Sequence, residues 1–442
     1  MVFSQESMTL NEEQNCALTY AIQGKSFFLT GPGGSGKSFL LERVRSELEN
    51  KGRTVAVTAM TGCAALLLGK KAKTLHSWAS VGLAKEPATA LAAKIRSSPK
   101  AFRRWLGTDT LIIDEVSMLT PEFLEKLNTI AISIRRDIRP MGGLQVIFVG
   151  DFFQLPPVNK DSRNGVATQF VFESPLWKSI MPLTVSLSKI IRQQDPTFHT
   201  ILDEARIGQL SKESLDILKT RQNLPWQSLE IRPTLLFSRK AEVDHVNSTN
   251  LKGLKGPRHS YNADTVKLPI ESMKHFDVTS EEGQQYISRL DRDAQYMPEL
   301  VLAVGAQVML LTNLDFELEL VNGSRGVVTG FTEDALHLPI VKFRTGAPMT
   351  IGPATWDSEC EGLQRKQIPL RLAYAMTIHK AQGATLDCAL IDIGSSTFEC
   401  GQAYVALSRV RSLESLYVWD LEMDAFKTNE KVVAFAKSMS MS

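Results

Sequence analysis

Cysteine is scarce in this chain: five residues in 442 (Cys16, Cys63, Cys360, Cys388 and Cys400), far apart and never as a C-x-x-C pair. That excludes a disulfide framework and argues against a zinc site, so a reducing, intracellular setting is the expectation. Long apolar runs are also missing. The most extended, LVLAVGAQVMLL at 300–311, is too short to span a bilayer, and the first residues, MVFSQESMTLNEEQ, lack the basic start and apolar core of a secretory signal. A soluble chain with no membrane partner is expected. There is no excess of one charge either: 50 Lys and Arg against 48 Asp and Glu leave a net +2. Any basic track must therefore be local rather than a property of the whole surface. Low complexity and internal repeats are absent, and the composition is that of an ordinary globular protein. The length exceeds one compact core and implies about two to four domains.

What is present is an alternation of short apolar runs with helical patterns. A helix over 10–22 is entered through Asn11, with Glu12 and Glu13 in its first turn. SFFLT (26–30) reads as a buried strand, GPGGSGKS (31–38) follows, and FLLERVRSELEN has helical spacing. TVAVTAM, LIID (111–114) and LQVIFVGD (144–151) are further strands ending in polar residues. Strands of this kind, buried on both faces and separated by helices, form a parallel sheet. They describe a phosphate-loop nucleotidase core over roughly the first 180 residues. Within it, ATALAAKIRSSPKAFRRWLG (88–107) is a basic helical insertion, equally readable as a solvated amphipathic helix. A second α/β pattern begins near Leu183, contains TLLFSRKAEVDHVN (234–247), and resumes after 367 with IPLRLAYAMTIHKAQG and CALIDIGS, without a second phosphate loop. Residues 257–366 change character: QVMLLTNL, the Asn322-Gly323 turn, RGVVTGF and PIVKF suggest a small barrel-like insertion.

The chemistry-bearing strings lie at the strand ends. GPGGSGKS fits G-x-x-x-x-G-K-[ST]: Gly31, Pro32, Gly33, Gly34, Ser35 and Gly36 turn backbone N–H groups around phosphates, and the next helix adds its N-terminal dipole. Lys37 would reach the β and γ phosphates and Ser38 would hold Mg²⁺. Asp114 and Glu115 follow LII at a strand end facing the ligand crevice. There Asp114 would bind Mg²⁺ in part through water, and Glu115 would polarise the attacking water. Gln154, in GDFFQLPPV, is placed to sense the γ-phosphate. Arg192 in KIIRQQD and Arg409 in VALSRVR are the candidate cations for the transition state, a contribution worth roughly 10³–10⁵ in rate elsewhere. A phosphate loop sharing a chain with TIHKAQGATLD (377–387) and GQAYVALSRVR (401–411) points to hydrolysis coupled to movement along nucleic acid.

These strings, with EEQ ending at Gln14, TAMTGCAALLLG, TLHSWASVGL and RRDIRPMGGLQ, resemble in order the PIF-type (petite integration frequency) DNA helicases of superfamily 1, relatives of RecD-like enzymes. The one departure is Met141, where that family usually has an aromatic residue before the paired glycines. The resemblance implies an α/β fold of two RecA-like domains, 1–182 and 183–256 with 367–442, and ATP in the cleft between them. It further implies a wedge-like insertion at about 78–107 and a β-barrel insertion at 257–366. The implied activity is ATP-dependent unwinding while moving 5′ to 3′ on single-stranded DNA. Mg²⁺ with ATP would be the cofactor, single-stranded and tailed or forked duplex DNA the partners, and a monomer the acting form. Carried over residue by residue, Gln14 would contact adenine, Gly383 would face the nucleotide, and Thr61, Gly62, His76, Ser238, Thr377, His379 and Lys380 would contact DNA. Short hydroxyl, glycine and His/Lys side chains suit sugar–phosphate tracking without sequence readout. His76 and His379 read equally as structural histidines, and Trp78 and Phe153 as either base-stacking or core residues. Two rival readings share the phosphate loop: an ATP-driven remodeller that separates no strands, and an RNA-directed translocase, since phosphate tracking hardly distinguishes the sugars.

Overall fold

The computed structural model describes residues 10–69, 71–157, 167–269, 277–292, 294, 296–315, 318, 320–344, 346–358 and 362–440. Residues 1–9, Val158 and Cys360 lie outside them. The chain forms two compact units: 1–217 with 397–412 and 422–442, and 218–396 with 413–421.

The first unit is built on a six-stranded sheet in the order Lys73–Thr74, Val55–Ala59, Thr110–Asp114, Gln145–Gly150, Phe27–Thr30, Thr184–Ser186. Every neighbouring pair is parallel. The strands Phe27–Thr30 and Gln145–Gly150 are buried at every position, as their uninterrupted apolar runs require. Register brings Thr30 opposite Gly150 and Ala59 opposite Asp114, so the C-terminal strand ends form one edge. The helices Glu12–Ile22 and Lys37–Asn50 cover one face, with Ala17, Leu40, Val44 and Leu48 packed on Phe27 and Ile147. The basic segment forms two helices, Ala88–Ser97 and Pro99–Gly107. Their apolar faces are buried through Leu91, Ile95 and Trp105 and pack against the helix Pro121–Arg135.

Arg135, at the end of that last helix, organises the turn after it. Its guanidinium donates to the carbonyls of Gly142 (2.8 Å), Trp105 (2.8 Å) and Thr108 (3.0 Å). The turn carries left-handed backbone at Met141 (φ 53), Gly142 (φ 61) and Gly143 (φ 69). A side chain at Gly142 would meet the Ala131 carbonyl oxygen at 2.7 Å, so only glycine fits there.

The second unit holds a four-stranded parallel sheet, Ala375–Thr377, Thr234–Phe237, Ala389–Ile393, Leu416–Leu421. The helix Lys240–Gly253 follows its strand Thr234–Phe237, giving the expected strand-then-helix order. Between these elements the chain forms antiparallel sheets of two, five and three strands. The five-stranded one joins Gln307–Leu310, Arg325–Phe331 and Pro339–Phe343 around a core of Val308, Leu310, Val328, Val341 and Phe343. Among the described residues no helix is long and apolar enough to cross a membrane.

Candidate nucleotide site and nucleic-acid track

In the first unit the loop after Phe27–Thr30 turns on glycines with φ of 151° at Gly31, 86° at Gly34 and 85° at Gly36. A Cβ at Gly34 would lie 2.7 Å from Arg192 Cβ, and one at Gly31 2.6 Å from the Leu187 carbonyl, so the loop depends on bare backbone. Lys37 opens the following helix and donates to the carbonyls of Gly31 (2.7 Å) and Pro32 (2.9 Å). Burial lowers its pKa, opposed by the charges of Asp151, Glu115 and Asp114. Those acidic groups stand at the ends of the two neighbouring strands. Burial, then the adjacent Glu115, pushes the Asp114 carboxyl up to about 7. Glu115 is buried and left-handed (φ 55), a costly conformation for a non-glycine residue that turns the chain at the sheet edge.

Gln154 is buried, and its Oε1 has no hydrogen-bond partner; the same holds for Ser35 Oγ inside the loop. Gln14 closes the capping box of its helix, its Oε1 accepting from Asn11 N at 3.1 Å, while its Nε2 lies beside Gly36. The segment 397–412 packs with this unit. Arg192 donates to the Ser408 carbonyl (3.0 Å), and Arg409, 1% exposed, donates to the Val405 carbonyl (2.8 Å) and Ser408 Oγ (2.7 Å). Burial and the nearby Arg409 lower the Arg192 guanidinium to about 9. The structure thus gathers Gln14, residues 31–38, Asp114, Glu115, Gln154, Arg192 and Arg409 in one unit. A glycine cradle, a buried lysine, a carboxylate at a strand end and two unpartnered buried oxygens are a donor set that fits a magnesium-bound nucleoside triphosphate. Ser38 and Asp114 would hold the metal.

Three further residues enter this network that sequence reasoning did not single out. Tyr404 Oη accepts from Gly33 N at 2.7 Å and donates to Asp151 Oδ2 at 3.3 Å. Asp151, fully buried, receives two bonds from Arg206 at 3.0 and 2.9 Å. Arg206 also lies over the Phe153 ring, 4.2 Å from its centroid. Asp151 and Tyr404 stand inside motif strings, GDFFQ and GQAYVALSR, and the strand-end position of Asp151 was a usable signal. Arg206 lies in no motif and had none.

Of the track residues, Thr61, Gly62 and His76 belong to the first unit, near the ends of Val55–Ala59 and Lys73–Thr74. His76 stacks on Phe123 at 4.3 Å, and burial lowers its pKa. Ser238, Thr377, His379 and Lys380 belong to the second unit, as does Gly383, the expected nucleotide contact. Register pairs Thr377 with Phe237, so Thr377 and Ser238 share one edge of that sheet. Thr377 caps the helix Ile378–Ala381, its hydroxyl accepting from Lys380 N at 3.2 Å. Ser238 Oγ is buried without a partner. Burial lowers the pKa of His379 as well. Trp78 and Phe153 resolve to the core: Trp78 is 4% exposed and packs on Trp105 at 4.6 Å, and Phe153 is 8% exposed.

A phosphate loop and an acidic strand end on one parallel sheet, with a second parallel sheet in the other unit, define a RecA-like phosphate-loop fold of the kind that carries two such domains. Within that class, residues 9–220 match the PIF1-like helicase family model and residues 286–331 match the 2B domain of the DNA helicase Pif1. The zebrafish (Danio rerio) ATP-dependent DNA helicase PIF1 is 39% identical over 97% of this chain. The crystal structure of the Candida albicans Pif1 helicase superposes with a TM-score of 0.80 at 35% identity, covering 98% of this chain and 100% of that one. The Bacteroides Pif1 helicase in complex with ADP-AlF3 and ssDNA superposes with a TM-score of 0.68 at 27% identity, covering 99% of this chain and 98% of that one. The chain belongs to the Pif1 helicase family. It spans 64% of the length of the zebrafish relative.

Proposed function

We propose that this chain is an ATP-dependent DNA helicase that moves 5′ to 3′ on single-stranded DNA and opens duplex DNA ahead of it. The observation that carries the reading is the strand-end edge of the first unit, where Lys37 on the glycine loop lies in the field of Asp114, Glu115 and Asp151. Family membership supports the link to DNA, the polarity is the expectation drawn from the family resemblance, and the Bacteroides relative was solved with both ADP-AlF3 and single-stranded DNA. In this reading Lys37 neutralises the β and γ phosphates, and Ser38 and Asp114 would hold Mg²⁺, in part through water. Glu115 takes the proton of the attacking water, and Gln154 orients it. Arg192 and Arg409 stabilise charge on the transferring phosphoryl group. Bound Mg²⁺ would supply Lewis-acid polarisation of the phosphates. Gln14 offers its amide Nε2 to adenine, and Gly383 contacts the nucleotide. Thr61, Gly62, His76, Ser238, Thr377, His379 and Lys380 grip the sugar–phosphate backbone. Because burial keeps both histidines from charging, they hydrogen-bond to DNA rather than pair with it. The chain acts as a monomer.

The test is unwinding of duplexes with 5′ or 3′ tails, in DNA and RNA versions, alongside ATPase activity with and without single-stranded DNA. Strong stimulation by DNA and unwinding from a 5′ DNA tail are expected. Stimulation without strand separation would favour a remodeller, and equal work on RNA would favour the broader translocase.

A further inference from the structure

The phosphate loop and both flanking sensor segments meet at one phenol. Tyr404 is 2% exposed, on the short helix Gln402–Leu407, and its Oη accepts the Gly33 N–H at 2.7 Å. The same hydroxyl donates to Asp151 Oδ2 at 3.3 Å, and Asp151 is anchored by two bonds from Arg206. Asp151 in turn starts the turn that carries Gln154, whose N–H donates to the Asp151 carbonyl at 3.0 Å. Tyr404 starts the turn that ends in Arg409: Ser408 N donates to the Tyr404 carbonyl at 3.0 Å, and Ser408 accepts from both Arg192 and Arg409. The fit at Gly33 is close, since a Cβ there would lie 3.3 Å from Ser408 Cβ and 3.4 Å from Tyr404 Oη.

We propose that Tyr404 is a positioning residue for nucleotide hydrolysis. Its hydroxyl locks the Gly33 amide, Asp151 and the Arg409 segment into one register, so that Gln154 and Arg409 are set against the same phosphate loop. The proposal rests on the ATPase reading above. A phenol suits this role because one oxygen both accepts from a backbone amide and donates to a carboxylate, and phenylalanine can do neither. Arg206 matters through Asp151: without that ion pair a fully buried carboxylate would be left with the phenol and the Phe153 N–H at 3.2 Å, and no countercharge bonded to it.

The experiment compares Tyr404→Phe and Asp151→Asn with the parent in steady-state ATPase assays with single-stranded DNA, and in binding of a non-hydrolysable ATP analogue. Lys37→Ala serves as the control for the ATPase reading itself. Tyr404→Phe keeps the ring and should melt within about 2 °C of the parent. It should lower kcat roughly tenfold, the rate equivalent of one net hydrogen bond, and change analogue affinity and KM less than about twofold. The double variant should lose little more than either single one, because both act on a single relay. A parent that hydrolyses ATP, with a folded Tyr404→Phe variant of equal kcat, overturns the proposal and leaves the ATPase reading standing. Equal losses in affinity and in rate would also overturn it, because they mark a binding contact rather than positioning. Additive losses in the double variant would break the relay. If Asp151→Asn does not fold, Tyr404→Phe alone decides. A parent without ATPase activity would remove the reading underneath.

Discussion

Asp114 supplies a stability signature that can be measured without any nucleic acid. Its carboxyl is raised from an ordinary 3.8 to about 7, by burial first and by the charge of Glu115 second. The folded protein therefore holds a proton that the unfolded chain has released between those two values. Stability should fall as pH rises through that window, because the native state binds more protons there than the unfolded one. From pH 5 to pH 8 roughly two of those pKa steps are lost, about 2–3 kcal/mol at 1.36 kcal/mol per step. Asp114 keeps partial contact with water, so screening brings the expected figure nearer 2 kcal/mol. Asp114→Asn removes the charge while keeping Oδ1, which accepts from Glu115 N at 2.8 Å. Urea melts of parent and variant, in EDTA across pH 5–8, isolate the effect as a difference. The parent should lose about 2 kcal/mol relative to the variant on going from the acid to the alkaline end. A magnesium-bound nucleotide should abolish that slope, since a cation holds the carboxylate ionised, and its binding near pH 6.5 should release a proton to the buffer. A difference between parent and variant that stays flat over this range would refute the reasoning, and with it the burial assigned to this carboxylate.

Three further outcomes are expected. Glu115→Gln should bind the ATP analogue as the parent does and lose turnover by about 10²-fold or more, since an amide accepts no proton; parent-like hydrolysis would remove Glu115 as the water-activating group. His379→Ala with Lys380→Ala should weaken DNA binding for all sequences alike and flatten the log–log salt dependence on single strands by about 0.7, from the lysine alone. A slope change of twice that would show that His379 carries charge on DNA, and an unchanged slope would remove Lys380 from the track. Arg135→Ala should lower stability by about 2 kcal/mol through lost bonds to the carbonyls of Gly142, Trp105, Leu106 and Thr108, seen as a melting temperature several degrees lower, with DNA-stimulated ATPase retained below the melt. Equal melting would mean that the guanidinium holds nothing the turn needs.

The parallel core was legible because runs such as LIID and LQVIFVGD can be satisfied only by burial on both faces. The placing of the candidate nucleotide-site residues was legible for a related reason: a phosphate loop and an acidic strand end have fixed places on such a sheet. What escaped were partners joined by long-range contact. Nothing local in Arg206 announces that it neutralises Asp151, and nothing near Tyr404 announces Gly33, 371 positions away. Trp78 was ambiguous for the opposite reason: an aromatic in a polar neighbourhood suits a base or a core, and only Trp105 beside it decides. The region 257–366 signalled β structure through its turns, but which strands pair was not legible. Leu310, for example, pairs with Leu370 sixty positions on, while Gln364 pairs with Val266.

The turn at 140–143 constrains which sequences can replace this one. Position 141 is fully buried and left-handed, and its N–H is taken by Asn128 Oδ1 at 2.7 Å. A residue there needs a long side chain to fill the interior and an unbranched Cβ to accept a positive φ. Methionine satisfies both requirements, and so does the aromatic residue usual in the family. Valine and threonine satisfy neither the space nor the backbone and isoleucine fails the backbone, although by hydrophobicity alone valine and isoleucine look like the conservative choices. Substitution at this site should therefore follow shape at the Cβ rather than similarity of side-chain character, and aligned sequences should alternate there between methionine, leucine and aromatics while excluding the β-branched residues.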